Sequence, residues 1–137
     1  MLMKTILLLP LAMVAASCAV AIGDEAGPPS AADEAAMSAA LAGRTAGEPV
    51  ACVRRQDVRN SRGIGNNTIL FDGPGNILYV NRTASSCPTI RPWHALRQRS
   101  IGSSMCSNDL IRVFDPQTGV EYGACSLGRF TPYRRSG

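Results

Sequence analysis

Cysteines are the residues of this 137-residue chain whose chemistry can best be read from type and spacing. Four of the five, Cys52, Cys87, Cys106 and Cys125, are separated by 35, 19 and 19 positions. Zinc sites and thioredoxin-like redox sites need ligands or thiols a few residues apart, and these four are not. An even set of widely spaced cysteines in a short chain is typical of structural disulfides. We therefore expect two disulfide bonds, no metal site and no cofactor.

The pairing of these cysteines is open, because four cysteines allow three connectivities and spacing does not choose among them. We favour Cys52–Cys125, which would join the first and last strands, together with Cys87–Cys106, which would tie two loops. Sequential pairing, Cys52–Cys87 and Cys106–Cys125, is the alternative.

Nucleophilic catalysis has little support in the sequence. His94 is the only histidine, so a Ser-His-Asp arrangement would depend on it, and no serine lies in a G-x-S-x-G turn. The aspartates between the cysteines all have structural explanations, at turns or near arginines. We therefore expect a non-enzymatic protein. The alternative is a small envelope hydrolase or inhibitor that uses His94 or the arginine cluster.

Arginine is the other residue type whose abundance could indicate a binding function. Residues 50–137 carry twelve arginines against five acids, whereas residues 19–49 carry one arginine against five acids. Arginine makes forked contacts with carboxylate and phosphate, although an all-arginine composition also fits the codon bias of a GC-rich genome. The candidate anion-binding residues are Arg54, Arg55, Arg59, Arg129, Arg134 and Arg135.

The partner that we predict from this charge is an envelope polyanion, such as lipid phosphate or acidic polysaccharide, or an envelope protein. Nucleic acid is not expected, because acids are interspersed and the chain has the pattern of an exported protein. A protein partner would meet exposed aromatic residues, with Tyr79, Trp93, Phe130 and Tyr133 as the candidates. We expect these aromatics to lie in the core instead.

The first residues have the pattern of an export signal. Lys4 precedes an apolar run and then small residues, a layout typical of a signal peptide over residues 1–17 and too short to span a membrane. Ala15-Ala16-Ser17-Cys18 resembles a lipobox, in which Cys18 is acylated; cleavage after residue 21 is the alternative. We expect a protein of the periplasm, or one held to the outer membrane only by an N-terminal lipid.

The rest of the chain divides into a spacer, a helix and a β domain. Residues 18–30 read as a flexible spacer, and Ser30 with Asp33 predicts a helix start. The alanine-rich run that follows predicts a short helix over residues 31–43, whose thin apolar side consists of Met37, Ala40 and Leu41. Residues 44–137 then form the cysteine-framed domain.

Strand patterns dominate that domain. Residues 68–72 and 77–81 are strand-like, largely apolar runs on either side of Gly73-Pro74-Gly75-Asn76, which predicts a hairpin. Further strands are predicted at 50–53, 93–99, 109–115 and 120–127, with a loop or irregular edge over residues 60–67. We predict a mainly β (α+β) fold, a small antiparallel barrel or sandwich of about five strands, stapled by disulfides, with one helix packed outside.

Several segments taken together resemble one protein family. They are LAGRTAGEPVACV, TILFDG, ILYVN, SSCPTI, MCSNDLIRV and ACSLGRFTPYRR. The ordered cysteines, with Cys125-Ser126-Leu127-Gly128 and Phe130-Thr131-Pro132-Tyr133, resemble a domain-of-unknown-function family of small exported proteins from sphingomonads and related alphaproteobacteria. The resemblance covers residues 41–135. It implies a shared fold and export, and it implies no reaction.

Overall fold

The computed structural model describes residues 28–87, 90–98 and 102–137. In these ranges the chain forms one α-helix, α1 (Ala31–Leu41), two short 3₁₀ turns and ten strands. The strands are β1 (Arg44–Ala46), β2 (Cys52–Arg54), β3 (Asn60–Ile64), β4 (Thr68–Asp72), β5 (Leu78–Arg82), β6 (Ala95–Gln98), β7 (Ser104–Cys106), β8 (Leu110–Phe114), β9 (Glu121–Ser126) and β10 (Phe130–Arg135). The predicted signal peptide, Cys18 and most of the predicted spacer lie outside the described residues.

The strands form three antiparallel sheets. The largest has the order β1-β10-β5-β4-β3, a second has the order β6-β8-β9, and β2 pairs with β7. The predicted mainly β fold with one helix outside is therefore confirmed. The described chain has more strands than the five or so that were predicted, because several of its strands are only three residues long.

Helix α1 begins where the sequence predicts. Ser30 Oγ accepts a hydrogen bond from the Asp33 N–H at 3.1 Å, and Asp33 Oδ2 accepts one from the Ser30 N–H at 3.1 Å. This capping box satisfies donors that a helix start otherwise leaves free. The helix ends at Leu41, two residues earlier than predicted, and the chain then turns through Gly43 at a φ of 68°.

The helix packs on one face of the five-stranded sheet through the predicted apolar side. The contacting residues are Met37, Ala40 and Leu41 of α1, and Ile64, Leu70, Leu78, Val80 and Tyr133 of the sheet. Burial of these side chains holds a helix that is too short to be stable alone.

The opposite face of the same sheet carries the main core. The β4–β5 hairpin has the predicted strands, and its register sets Leu70 opposite Val80 on the helix side and Phe71 opposite Tyr79 on the core side. Phe130 of β10 is fully buried there, with its ring centroid 5.7 Å from that of Phe71. Buried residues of the other two sheets complete this cluster: Val53, Met105, Ile111, Val113 and Cys125.

Strand β3 forms within residues 60–67, which were predicted to be a loop or irregular edge. Its polar residues pair with the apolar strand β4 along five positions. Gly63 lies inside it because a Cβ at this position would come within 1.5 Å of the Ile90 side chain. Strand β3 is thus an edge strand of the sheet. Its polar composition is the reason that the strand could not be recognised from the sequence.

The disulfides differ from both predicted pairings. Cys52 is bonded to Cys106 and Cys87 to Cys125, so the favoured Cys52–Cys125 and Cys87–Cys106 pairs are wrong, as is the sequential alternative. Cys52 lies directly opposite Cys106 in the β2–β7 ladder, with 4.0 Å between their Cα atoms. Strand β9, which carries Cys125, pairs with β8 and not with β2. The strands near the two ends of the domain do pair, as β1 with β10, but neither carries a cysteine.

Candidate functional site

The six predicted anion-binding arginines fall into two separate groups. Three lie at the short turn Arg55–Asp57 between β2 and β3, one before it, one at its start and one after it, and three lie on or just before β10. In the first group, Arg54 pairs with Asp57 at 2.9 Å, while Arg59 donates to the Gly73 carbonyl at 2.6 Å. Arg55 lines a cavity of about 280 Å³ together with Leu96 and Gln98. The first group therefore does not form one anion site.

The second group lies along β10 and forms a regular row. Alternation along the strand places Phe130 and Pro132 in the core, so that Thr131, Tyr133 and Arg135 face the helix side. Arg129, just before the strand, lines a surface cavity of about 250 Å³. The other residues that line this cavity are Pro49, Val80, Arg82, Thr131 and Tyr133. No residue of α1 lines it.

Two arginines are found at each end of β10, one on or next to that strand and one on a neighbouring strand. Arg44 of β1 lies opposite Arg135 in the strand register. At the other end, Arg82 of β5 and Arg129 line the same cavity. Like charges directly opposite each other destabilise a sheet. We call Arg44, Arg82, Arg129 and Arg135, with Thr131 and Tyr133 between them, the β10 arginine row.

Neutral groups, and no carboxylate of the described residues, contact the arginines of this row. Arg44 donates to the Asn76 carbonyl and, at 3.5 Å, to the Tyr133 carbonyl; Arg129 donates to the Pro49 carbonyl at 2.8 Å. The ion pairs that the structure describes all lie elsewhere: Arg54–Asp57, Arg62–Asp72, Arg97–Glu121 and Arg112–Glu121. No described carboxylate forms an ion pair with these arginines, although Arg82 also lines a second cavity together with Asp33 and Glu34 of α1.

Sequence reasoning found half of this row. Arg44 and Arg82 were not predicted, because they reach the row only through strand pairing with β10. The sequence did contain a signal for the strand itself. Polar Arg129 and Thr131 alternate with apolar Phe130 and Pro132, which is the period of two expected of a strand. The remaining predicted residue, Arg134, points to the opposite face, where its guanidinium lies beside Gly47.

A second group of side chains that could bind a ligand lies at the β3 edge of the five-stranded sheet. Strand β3 forms this edge, and the segment from Pro92 into β6 runs beside it around a cavity of about 450 Å³. We call this cavity the Trp93 groove; it is lined by Val58, Arg59, Asn60, Ser61, Pro92, Trp93, His94, Ala95 and Leu96. No carboxylate is among the described residues that line it.

His94 occupies an aromatic cluster beside this groove. Its ring stacks on Tyr122 with 4.6 Å between centroids and 21° between planes, and Trp93 meets it edge-on at 5.8 Å. Asp115 has a pKa below its ordinary value, chiefly because the Gln117 N–H donates to it; the charge of His94 adds to this shift. Asp115 thereby holds a turn, and the hydrolase alternative based on His94 stays a prediction.

The predicted structural roles of the other three aspartates agree with their contacts. Asp57 and Asp72 pair with arginines, while Asp109 accepts hydrogen bonds from the Cys106 N–H and the Gln98 side chain. Of the aromatic residues that were considered partner-facing, Phe130 is fully buried, and Tyr79 and Tyr133 are half-buried. Trp93 is the exception, because 67% of it is exposed.

Three further observations bear on the class of protein. Among the described residues, no group of three or more histidine, cysteine or acidic side chains is arranged to hold a metal ion. The described part of the chain contains no helix of the length and apolar character that a membrane span requires. Comparison with family models, curated proteins and solved structures finds no match to this chain.

Proposed function

We propose that this chain is an exported, non-enzymatic binding domain whose β10 arginine row binds a linear polyanion of the bacterial envelope. The ligand chemistry is that of phosphate or carboxylate groups repeated along a polymer or across a lipid surface. The observation that carries the proposal is the presence of two arginines at each end of β10, opposite each other in the register at one end and lining one cavity at the other, with no described ion pair to a carboxylate.

The dimensions of the row suit an extended ligand. Arg129 and Arg135 are six residues apart along an extended chain, which corresponds to about 20 Å at about 3.3 Å per residue. Between them Thr131 and Tyr133 can contribute hydroxyl groups. A repeating anion that follows the strand would meet an arginine at either end and hydroxyl donors between them.

The charge arrangement favours anion binding over a purely structural role. Two guanidinium groups on facing strands repel each other, and this repulsion costs about 0.2–1 kcal/mol for each pair. A bound phosphate or carboxylate would remove that repulsion and accept forked hydrogen bonds from the arginines. Neutral carbonyls, which are the described partners of Arg44 and Arg129, orient those guanidinium groups without cancelling their charge.

Export is supported by the N-terminal signal pattern and by the two disulfides, since such bonds persist chiefly in oxidising compartments. The resemblance to small exported proteins points the same way. We place the protein in the periplasm or on the outer membrane, anchored through an acylated Cys18. If so, Cys18→Ser will move the protein from the membrane fraction of its host to the soluble periplasmic fraction.

Binding is tested with two probes, polygalacturonate and vesicles that contain phosphatidylglycerol, so that polymer carboxylate and lipid phosphate are distinguished. The test variant combines Arg82→Gln, Arg129→Gln and Arg135→Gln. The control variant combines Arg54→Gln, Arg62→Gln and Arg112→Gln, which removes the same charge from arginines that are already ion-paired.

The row variant is expected to bind at least about tenfold more weakly than the wild type, because three exposed charge contacts contribute about 0.5–1 kcal/mol each. The control variant should change affinity by less than about threefold, and wild-type binding should weaken as salt is added. Equal losses in the two variants would show that net charge alone attracts the probe. Absence of wild-type binding to both probes would reject the proposal.

A further inference from the structure

The Trp93 groove has features of a ligand site that the β10 arginine row does not explain. Trp93 is the only tryptophan of the chain and is 67% exposed, although aromatic side chains of this size are normally largely buried. An exposed, flat, apolar side chain beside a polar cavity is typical of a surface that contacts a ligand.

The aromatic side of the groove leaves the indole surface open. Trp93 meets His94 at an interplanar angle of 73°, whereas His94 and Tyr122 are nearly parallel at 21°. The faces of the His94 and Tyr122 rings therefore cover each other, and Trp93 is not stacked face-to-face on either. The His94 N–H donates to the Arg91 carbonyl at 3.0 Å, which fixes the backbone turn that presents Trp93.

The polar side of the groove comes from the edge strand β3 and the residue before it. Ser61, opposite Phe71 on the core side of β3, lines the cavity and provides a hydroxyl group, whereas Asn60 lines it from the residue whose side chain faces the helix side. Arg59 lines it too, and one of its Nη groups donates to the Gly73 carbonyl, which orients the guanidinium. Because no carboxylate is among the described lining residues, the cation is available to a ligand.

We propose that the Trp93 groove binds a sugar ring that carries a carboxylate, as in an acidic glycan. The apolar C–H face of such a ring would pack on the Trp93 indole. Its hydroxyl groups would pair with Ser61, and its carboxylate would accept hydrogen bonds from Arg59. The cavity of about 450 Å³ is within the range of about 300–1,000 Å³ that small-molecule sites occupy. This site is independent of the β10 arginine row and lies at the opposite edge of the five-stranded sheet.

A sugar fits this groove better than a nucleotide, the other planar ligand that could stack on tryptophan. Phosphate groups are normally held by successive backbone N–H groups of a glycine-rich loop or a helix N-terminus. The groove offers instead one guanidinium and one hydroxyl beside a single open aromatic face. Those groups match a ring with several hydroxyls and one carboxylate.

The test uses the fluorescence of the wild-type protein, which reports on this groove alone because Trp93 is the only tryptophan. Trigalacturonic acid, the neutral galactotriose and uridine monophosphate are titrated separately, with acrylamide quenching as the second readout. Trigalacturonic acid is expected to protect Trp93 saturably from the quencher. Galactotriose should bind at least about tenfold more weakly, since it cannot accept a charge-assisted hydrogen bond from Arg59.

Variants assign the interaction to the proposed groups. Arg59→Gln should weaken binding of trigalacturonic acid about tenfold, whereas the matched Arg112→Gln, on β8, should leave it unchanged. Trp93→Ala made in the triple row variant, followed by calorimetry, should abolish measurable binding while the circular dichroism spectrum stays native. The Trp93 fluorescence of the triple row variant should respond like that of the wild type, and the polygalacturonate assay repeated on Trp93→Ala measures the row alone, so the two proposals can fail separately.

Three results would each overturn the inference: no protection of Trp93 by trigalacturonic acid, equal protection by galactotriose, or tighter binding of uridine monophosphate. The first would leave the groove without a glycan ligand. The second would remove the role of Arg59, and the third would assign the groove to base stacking.

Discussion

Asn81 allows the sharpest test of how the fold positions its candidate site. This side chain is fully buried on β5, where its Nδ2 donates to the Gly128 carbonyl at 2.8 Å and its Oδ1 accepts from the Gly128 N–H at 2.9 Å. The two bonds fix the chain immediately before Arg129. We therefore expect Asn81→Ala to affect both the stability of the domain and binding by the β10 arginine row.

The magnitude follows from the groups that the substitution leaves unpaired. Each lost hydrogen bond costs about 1 kcal/mol where water replaces it, and up to about 3 kcal/mol where water does not. With two bonds lost and a small cavity formed, we expect Asn81→Ala to lower the free energy of unfolding by about 2–5 kcal/mol. That is a large part of the stability of about 5–15 kcal/mol that is usual for a small domain.

A second substitution at the same position separates hydrogen bonding from packing. Asn81→Asp keeps the volume, but the ionised carboxylate would face the Gly128 carbonyl with no proton to donate. Burial raises the pKa of such a carboxyl above its unfolded value, so the protonated form is favoured in the folded state. The variant should therefore be most stable at acidic pH and should lose stability as the pH rises through that raised pKa.

The assay is urea denaturation of the oxidised protein, with Asn60→Ala as the control, since Asn60 is exposed and should change stability by less than about 0.5 kcal/mol. Asn81→Ala should also weaken binding of polygalacturonate or anionic vesicles, whichever probe the wild type binds. A loss below about 1 kcal/mol for Asn81→Ala, or no pH dependence for Asn81→Asp, would refute the reasoning.

Three other predictions concern the packing, the covalent links and the helix start. Gly63→Ala should destabilise the domain by about 1–3 kcal/mol in thermal unfolding, because its methyl group would overlap the Ile90 side chain. An unchanged melting temperature would contradict this packing. Replacing Cys87 and Cys125 by alanine should lower the free energy of unfolding by about 4 kcal/mol, as expected for a loop of 38 residues. A non-reduced peptide map of the wild-type protein should contain this pair; a map with other pairs would contradict the fold. The pKa of Asp33 is lowered because Ser30 donates to its carboxylate, so Asp33→Ala should reduce the melting temperature above about pH 4, and the difference from wild type should shrink as the pH falls through the lowered pKa; a difference independent of pH would exclude the ionised cap.

Local signals in the sequence predicted those parts of the fold that local physics determines. The hairpin of β4 and β5 follows from two strand-like apolar runs on either side of a turn, and the helix start follows from Ser30 and Asp33 three residues apart. The β10 strand was not predicted, and it contains Pro132, a residue type that is uncommon in a central strand. The structure accommodates it where the irregular segment after β1 runs beside β10, and there Gly47 donates to the Pro132 carbonyl at 2.7 Å.

Long-range pairing explains what sequence reasoning could not reach. The disulfide connectivity depends on β2 meeting β7, which is 50 residues further along the chain, and no local pattern encodes that contact. The same holds for the β10 arginine row, since Arg44 and Arg82 join it only once β1 and β5 flank β10. The Trp93 groove likewise forms where the edge strand of one sheet passes the edge strand of another.

The distribution of packing over the five-stranded sheet explains why the candidate sites lie where they do. Helix α1 covers apolar residues of β4 and β5, and the other sheets cover the opposite face. The candidate sites therefore lie toward β10 and at the β3 edge, where these layers leave polar side chains exposed. Neighbouring arginines at the ends of β10 cost about 0.2–1 kcal/mol per pair, which is small beside the roughly 4 kcal/mol expected from each disulfide. A domain with two such links can keep arginines without ion pairs on its surface, and a surface that binds anions requires their charge.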